Sequence, residues 1–190
     1  MDDDAPQLPR PPVALGCAVF ALLLAIVVVG GGFCIAYLES GTETRAVLDV
    51  PEAYAIGTAS FIAERNIYLV RLADGSFLAL SDLDAYNRAR PGQRCRVSPI
   101  GASDPALPPL LAQYRNEFSP AAAGANFLFR DPCAGTLYDF TGVRVGSPGP
   151  NLDRHAVSLD GAGRITVDVN ERQCTQHEGS EFFATIECPQ

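Results

Sequence analysis

The feature that most constrains this chain is an uncharged run of 26 residues, from Val13 to Leu38. As a helix rising about 1.5 Å per residue, it would be about 39 Å long, more than the roughly 30 Å hydrocarbon core of a bilayer requires. The run lacks the polar face of a helix that packs on a soluble core. It therefore predicts one N-terminal transmembrane helix over residues 13–38, preceded by a tail at residues 1–12.

A cleaved signal peptide is the competing interpretation, because Cys34-Ile35-Ala36 resembles a cleavage site. The apolar run is longer than the roughly 7–15 residues of a signal-peptide core. The leader is also acidic, and Arg10 is its single base. Both observations favour an anchor that is retained.

The cysteines indicate on which side of the membrane the remainder lies. Four of them follow the apolar run: Cys95, Cys133, Cys174 and Cys188. An even number suggests two disulfides and an oxidising compartment. We therefore expect a single-pass protein of the cell membrane, with residues 1–12 cytoplasmic and the domain on the periplasmic or external face. The net charge of −8 argues against nucleic acid as a partner.

Beyond a polar tether at residues 39–50, short β-type runs alternate with turn signals. Residues 66–80 and 155–169 each contain two alternating runs around an Asp-Gly turn, which is typical of a β-hairpin. Residues 125–130 resemble a further strand, and no long amphipathic helix is evident. The pattern predicts a mainly β domain of small antiparallel sheets or a partial barrel.

A segment rich in Pro and Ala, residues 98–124, interrupts the strands and is interpreted as an inserted loop. It places apolar side chains at helical spacing: Leu107, Leu110, Leu111, Tyr114 and Phe118. This spacing predicts one short helix with an apolar face, which must pack on its own domain or on a partner. These five residues are the candidate partner-docking residues, and a tolerated surface insertion is the alternative.

The stretch DPCAGTLYDFTGVRVGSPGP, beginning at Asp131, resembles the second cluster-binding loop of Rieske iron–sulfur proteins, and IYLVRLADGSFLALSD resembles the hairpin before the first. The matches of the second stretch fall in one register: Pro132, Cys133, Gly135, Thr136, Asp139, Thr141-Gly142, Gly149-Pro150 and Leu152. The resemblance is to the membrane-anchored type found in cytochrome bc complexes. It implies a Rieske-like domain at residues 51–170 and a C-terminal tail at residues 171–190.

A Rieske centre requires two Cys thiolates and two His imidazoles. Carried over from the family, those four positions hold Asp84, Tyr86, Asp131 and Ala134. The two histidines of the chain, His155 and His177, lie outside both loops. We therefore expect no cluster, no other cofactor and no metal. The oxygen atoms of the three polar replacements leave a Ca²⁺ or Mg²⁺ site as the alternative.

The resemblance also implies a disulfide. Membrane-anchored Rieske proteins carry one non-ligand Cys in each loop, and the two form a bridge that here corresponds to Cys95–Cys133. Cys174 and Cys188 would then pair in the tail. The alternative reading of Cys174-Thr-Gln-His177 as a ligand pair is weaker, because no second His-bearing motif accompanies it.

The expected function is that of a non-catalytic accessory subunit, itself not an enzyme, of a membrane-bound respiratory or photosynthetic electron-transfer complex. Its partners would be other subunits of that complex and the bilayer, through residues 13–38. The alternative is a free-standing extracytoplasmic ligand- or metal-binding module. A third hypothesis, a thiol redox protein using Cys95 and Cys133, lacks the Cys-x-x-Cys context of a reactive pair.

Overall fold

The structure is a computed structural model that describes residues 19–31, 44–90, 92, 95–124 and 126–188. The chain divides into two compact units, Met1–Glu43 and Thr44–Gln190. In the first unit, residues 19–31 are helical (α1).

The predicted tail at 1–12, the two ends of the predicted span and the start of the tether lie outside the described residues. No helix in the part of the chain that the structure describes is both long and apolar enough to cross a membrane. A transmembrane helix over residues 13–38 therefore stays a prediction.

The described part of the second unit contains thirteen strands and two short α-helices. The strands are β1 Arg45–Val47, β2 Ala59–Ile62, β3 Ile67–Arg71, β4 Phe77–Ser81, β5 Ser98–Ile100, β6 Leu128–Arg130, β7 Leu137–Tyr138, β8 Arg144–Val145, β9 Gly149–Pro150, β10 Arg154–Leu159, β11 Ile165–Gln173, β12 Thr175–Glu178 and β13 Glu181–Thr185. The helices are α2 Ala85–Arg88 and α3 Leu107–Tyr114, and short 3₁₀ turns cover Pro51–Ala53, Arg115–Glu117 and Pro120–Ala122.

The strands form three antiparallel sheets, which confirms the mainly β class. One sheet has six strands in the order β1-β11-β10-β4-β3-β2, one has four in the order β5-β6-β7-β8, and one has three in the order β13-β12-β9. Both predicted hairpins are present, as β3–β4 and β10–β11.

Strand β3 shows why the six-stranded sheet lies at the centre of the unit. Its alternate residues Tyr68 and Val70 enter a core shared with Phe129, whereas Ile67 and Leu69 enter a second core on the opposite side. Side chains of a strand alternate between the two faces of a sheet, so this strand is covered on both faces. That double burial explains its near-continuous apolar sequence.

The compact unit is larger than the predicted domain at 51–170. Strand β1, within the predicted tether at 39–50, pairs with β11 and buries Ala46. The predicted tail at 171–190 contains the end of β11 and the β12–β13 hairpin, which pairs with β9. Strands on both sides of the predicted domain thus pair with strands inside it, because short strands gain their partners from distant parts of the chain, which local pattern does not reveal.

The inserted loop at 98–124 contains the predicted short helix, α3, but its apolar face is not free for a partner. Leu107 is buried against the four-stranded sheet, and the other four predicted docking residues, Leu110, Leu111, Tyr114 and Phe118, are half-buried against the same core. This apolar face packs on its own domain, and the role of the five residues in partner docking stays a prediction.

Candidate functional site

Two loops that follow β4 and β6 meet at one end of the second unit. We call them the first loop (residues 82–97) and the second loop (residues 131–136). Cys95 of the first and Cys133 of the second lie at disulfide distance, with their Cα atoms 6.0 Å apart. Cys174 and Cys188 form a second such pair, with their Cα atoms 5.2 Å apart. Both expected cysteine pairs are confirmed.

The second loop closes around Asp131, a fully buried carboxylate. Its Oδ1 accepts a hydrogen bond from the backbone N–H of Cys133 at 2.9 Å, and its Oδ2 accepts one from Ala134 at 3.0 Å. Gly135 then takes a φ of 71°, a left-handed conformation that glycine adopts without strain. The Asp131 carboxylate thus satisfies the backbone N–H groups of this turn.

The first loop uses Asp84 in a similar way. This buried carboxylate caps helix α2, because its Oδ1 accepts a hydrogen bond from Asn87 N at 2.8 Å. Its Oδ2 accepts one from the hydroxyl of Tyr138 at 2.9 Å. Burial raises the pKa of Tyr138, and the charges of Asp84 and Asp131 raise it further, so the phenol stays protonated and donates.

A cavity of about 520 Å³ opens beside these loops. It is lined by Asp84, Ala85, Tyr86, Ala134, Thr136, Tyr138, Arg144 and Pro150. Three of the four positions that the resemblance assigned to cluster ligands, Asp84, Tyr86 and Ala134, therefore border one cavity. Asp131 does not line it but accepts hydrogen bonds from Cys133 and Ala134. The rim is exposed: Tyr86 keeps 46% of its surface accessible, and the Arg90 guanidinium lies 3.7 Å above its ring centroid.

The donors at this site do not fit a Rieske cluster. His155 lies on β10, and His177 lies on β12, where its ring stacks on Phe182 with centroids 5.2 Å apart. Neither histidine lines the cavity. The Asp84 and Asp131 carboxylates already accept hydrogen bonds from their own loops, and the sulfurs of the nearby cysteines are paired with each other.

The residues of the two loops can also be compared with the ligands that a hard cation such as Ca²⁺ needs. Cys95, Asp131 and Cys133 place ligand atoms within 4.8 Å of one another, but a disulfide sulfur is not the thiolate that binds metals. One carboxylate falls well short of the six to eight oxygens that Ca²⁺ takes. The Asp84–Asp131 pair therefore closes loops and caps a helix.

Comparisons with known proteins give one weak likeness. No protein-family model and no curated protein matches the chain. Among solved structures, a protein of Mycobacterium tuberculosis described as an NADH-dependent nitrite reductase small subunit matches at 15% identity and a TM-score of 0.34. The match covers 65% of this chain and 92% of that one. A likeness at this level carries no argument about function.

Sequence reasoning noted Asp139 and Thr141 as motif matches but missed the network they form. Asp139 is fully buried, and its two oxygens accept five hydrogen bonds of 2.7–3.0 Å. The donors are the backbone N–H groups of Ser119, Thr141 and Val143 and the two hydroxyls of Ser119 and Thr141. The network fixes the inserted loop to the β7–β8 turn. The signal available in the sequence was the Asp-x-Thr-Gly turn.

Proposed function

We propose that this protein is a non-catalytic, cluster-free Rieske-like accessory subunit of a membrane-bound electron-transfer complex, anchored by residues 13–38. One observation carries the proposal: the two loops are joined by a disulfide, and the carboxylates of Asp84 and Asp131 complete the hydrogen bonding of these loops. The resemblance assigns both carboxylates to positions of cluster ligands. Such loops are closed by a disulfide and by their own hydrogen bonds. A closed loop pair with exposed tips is suited to contacting a neighbouring subunit, which is the role we assign to it.

The contact surface that we propose is the pair of loop tips, residues 85–86 and 132–135. Most of these residues are exposed, and Ala85, Tyr86 and Ala134 line the cavity beside Tyr138. Exposed tyrosines and arginines are favoured anchors at protein interfaces, and Tyr86 with Arg90 above its ring supplies both. This surface takes the place of the α3 face, which is covered by its own domain.

Extraction of the native membrane in mild detergent should recover the wild-type protein in a larger complex. Ala134→Arg should weaken that association at least about tenfold, because it places a bulky charge at the centre of the contact. Ala162→Arg makes the same change in the exposed β10–β11 turn and is the matched control. Co-purified subunits, quantified after affinity capture of each variant, provide the measurement. A wild-type protein that is monomeric in several mild detergents, or two variants that behave alike, would contradict the proposal.

The cofactor prediction is tested separately. Purified protein should be colourless and should contain far less than one iron and one acid-labile sulfide per chain, because the four cluster positions offer neither thiolate nor imidazole. Metal analysis and electron paramagnetic resonance of the reduced protein provide the measurement. Stoichiometric iron with the spectrum of a Rieske centre would overturn our reading of both loops.

A second candidate function, an extracytoplasmic ligand-binding module, is favoured by a different observation. An arginine-lined cleft lies beside the first loop and the six-stranded sheet. A domain that acted only as a brace has no need of such a cleft.

A further inference from the structure

The arginine-lined cleft has a volume of about 490 Å³. The charged and titratable residues that line it are Arg65, Asp82, Arg88, Arg96, His155 and Arg172. They come from the β2–β3 turn, the first loop and strands β10 and β11. Four guanidinium groups thus meet in one cleft of a protein whose net charge is −8.

Two buried carboxylates hold three of these arginines in place. Asp82 pairs with Arg96, and Asp153 pairs with Arg88 and lies 3.6 Å from Nε of Arg172. Three of the guanidinium groups that line the cleft, those of Arg88, Arg96 and Arg172, are thus held by buried carboxylates. Carboxylates of this kind orient guanidinium groups for a ligand.

The arginines also retain hydrogen-bond donors. Arg96 makes its contacts with Asn66 and Asp82 through Nη1, and about half of its side-chain surface is exposed. A guanidinium carries five N–H donors in a planar fork, so its Nε and Nη2 groups remain for a ligand oxygen. Such a fork matches the spacing of oxygens in a phosphate or carboxylate.

His155 supplies a second, independent observation. It lines the cleft, and its buried Nδ1 has no hydrogen-bond partner among the described residues. Burial lowers the pKa of His155, and the charges of Arg172 and Arg88 lower it further, against an opposing effect of Asp153. The ring is therefore neutral at neutral pH. A buried polar atom without a partner is costly. When Nδ1 takes up a proton, it can donate a hydrogen bond to an oxygen of a bound anion.

We propose that this cleft binds a small-molecule oxyanion that carries phosphate or carboxylate groups. Its volume falls within the roughly 300–1,000 Å³ of small-molecule sites, which is larger than a single inorganic ion needs. The inference concerns a place other than the loop tips, so it stands whether or not these dock on a partner.

The full-length protein in detergent micelles should bind pyrophosphate or citrate with one-to-one stoichiometry in isothermal titration calorimetry. The two probes distinguish a phosphate ligand from a carboxylate ligand. Arg96→Gln should weaken binding about tenfold, the effect of losing one charge-assisted contact. Arg130→Gln removes the same charge from the exposed end of β6 and should change affinity less than about twofold.

Arg96→Gln leaves Asp82 without its ion pair, so the double variant Asp82→Asn/Arg96→Gln serves as a second variant. It removes both charges, should fold, and should bind weakly. Absence of binding heat and of thermal stabilisation with either probe in the wild type would overturn the proposal. Equal losses of affinity in the Arg96→Gln and Arg130→Gln variants would overturn the proposal too, because they would indicate only a general effect of the protein's charge.

The role of His155 is tested by the pH dependence of anion affinity. Sulfate is the probe, because it stays doubly charged between about pH 6 and about pH 8. An anion favours the protonated imidazole, so affinity should rise as pH falls from about 8 to about 6, and binding should take up a proton. The groups that also influence this step are Asp153, Arg88 and Arg172 beside the ring and Asp82, Arg65 and Arg96 across the cleft. His155→Gln should remove the pH dependence. An unchanged dependence in that variant would exclude His155 from the site.

Discussion

Replacing Asp139 with alanine is expected to lower the free energy of unfolding by about 3–5 kcal/mol. The substitution removes the acceptor of five hydrogen bonds and leaves the backbone N–H groups of Ser119, Thr141 and Val143 buried without a partner. Each unsatisfied buried donor costs roughly 1–3 kcal/mol. The measurement is denaturant unfolding of the full-length protein in detergent, followed by near-ultraviolet circular dichroism.

Asp160→Ala is the matched control for this prediction. Asp160 also accepts hydrogen bonds from two backbone N–H groups, those of Ala162 and Arg164, but it does so in the exposed turn of the β10–β11 hairpin. Water can replace its carboxylate there, so the decrease in the free energy of unfolding should be much smaller. Equal losses for the two alanine variants would show that burial of the Asp139 network contributes little.

The second large effect is expected from the disulfides. Cys95 and Cys133 are 38 positions apart, and Cys174 and Cys188 are 14 apart. In the chain-entropy account, loops of these sizes correspond to about 4 and about 3 kcal/mol of stability. Replacing each pair by two alanines should therefore destabilise the protein by about these amounts, measured by the same unfolding experiment.

The two double variants should differ more in partner association than in stability. Loss of Cys95–Cys133 frees the first and second loops from each other, so capture of partner subunits should fall. Loss of Cys174–Cys188 affects the β12–β13 hairpin instead and should leave capture nearly unchanged. If neither variant changes capture, the disulfide is a staple of the fold alone and the loop-tip surface loses its support.

The parts of the fold that could be predicted from sequence are those set by neighbouring residues. The β3–β4 and β10–β11 hairpins follow from alternation around a turn that contains Asp and Gly, which are local signals. Strand β1 could not be predicted, because its partner Val167 lies more than 100 residues away along the chain. The covered face of α3 was equally hidden, since spacing gives an apolar face without saying what packs on it.

The two candidate sites differ in the same way: the residues of one could be predicted from the sequence, and those of the other could not. The family register placed Asp84, Tyr86 and Ala134 around one cavity, because a resemblance carries three-dimensional information that composition does not. The arginine-lined cleft had no such template. Its residues, from Arg65 to Arg172, are scattered along the chain and converge only when the first loop and the six-stranded sheet come together.

The way in which the first and second loops are closed also bears on how the protein matures. Where metal ligation closes a loop, the binding free energy of the ion is part of the free energy of folding, and assembly waits for the cofactor. Here Asp84 and Asp131 are supplied by the chain itself, and the disulfide requires the removal of two electrons from the thiols of Cys95 and Cys133. Formation of this closed loop pair then depends on an encounter with a thiol oxidant. For a cluster-free domain, as we propose this one to be, the yield would respond to the redox poise of the compartment rather than to the supply of iron.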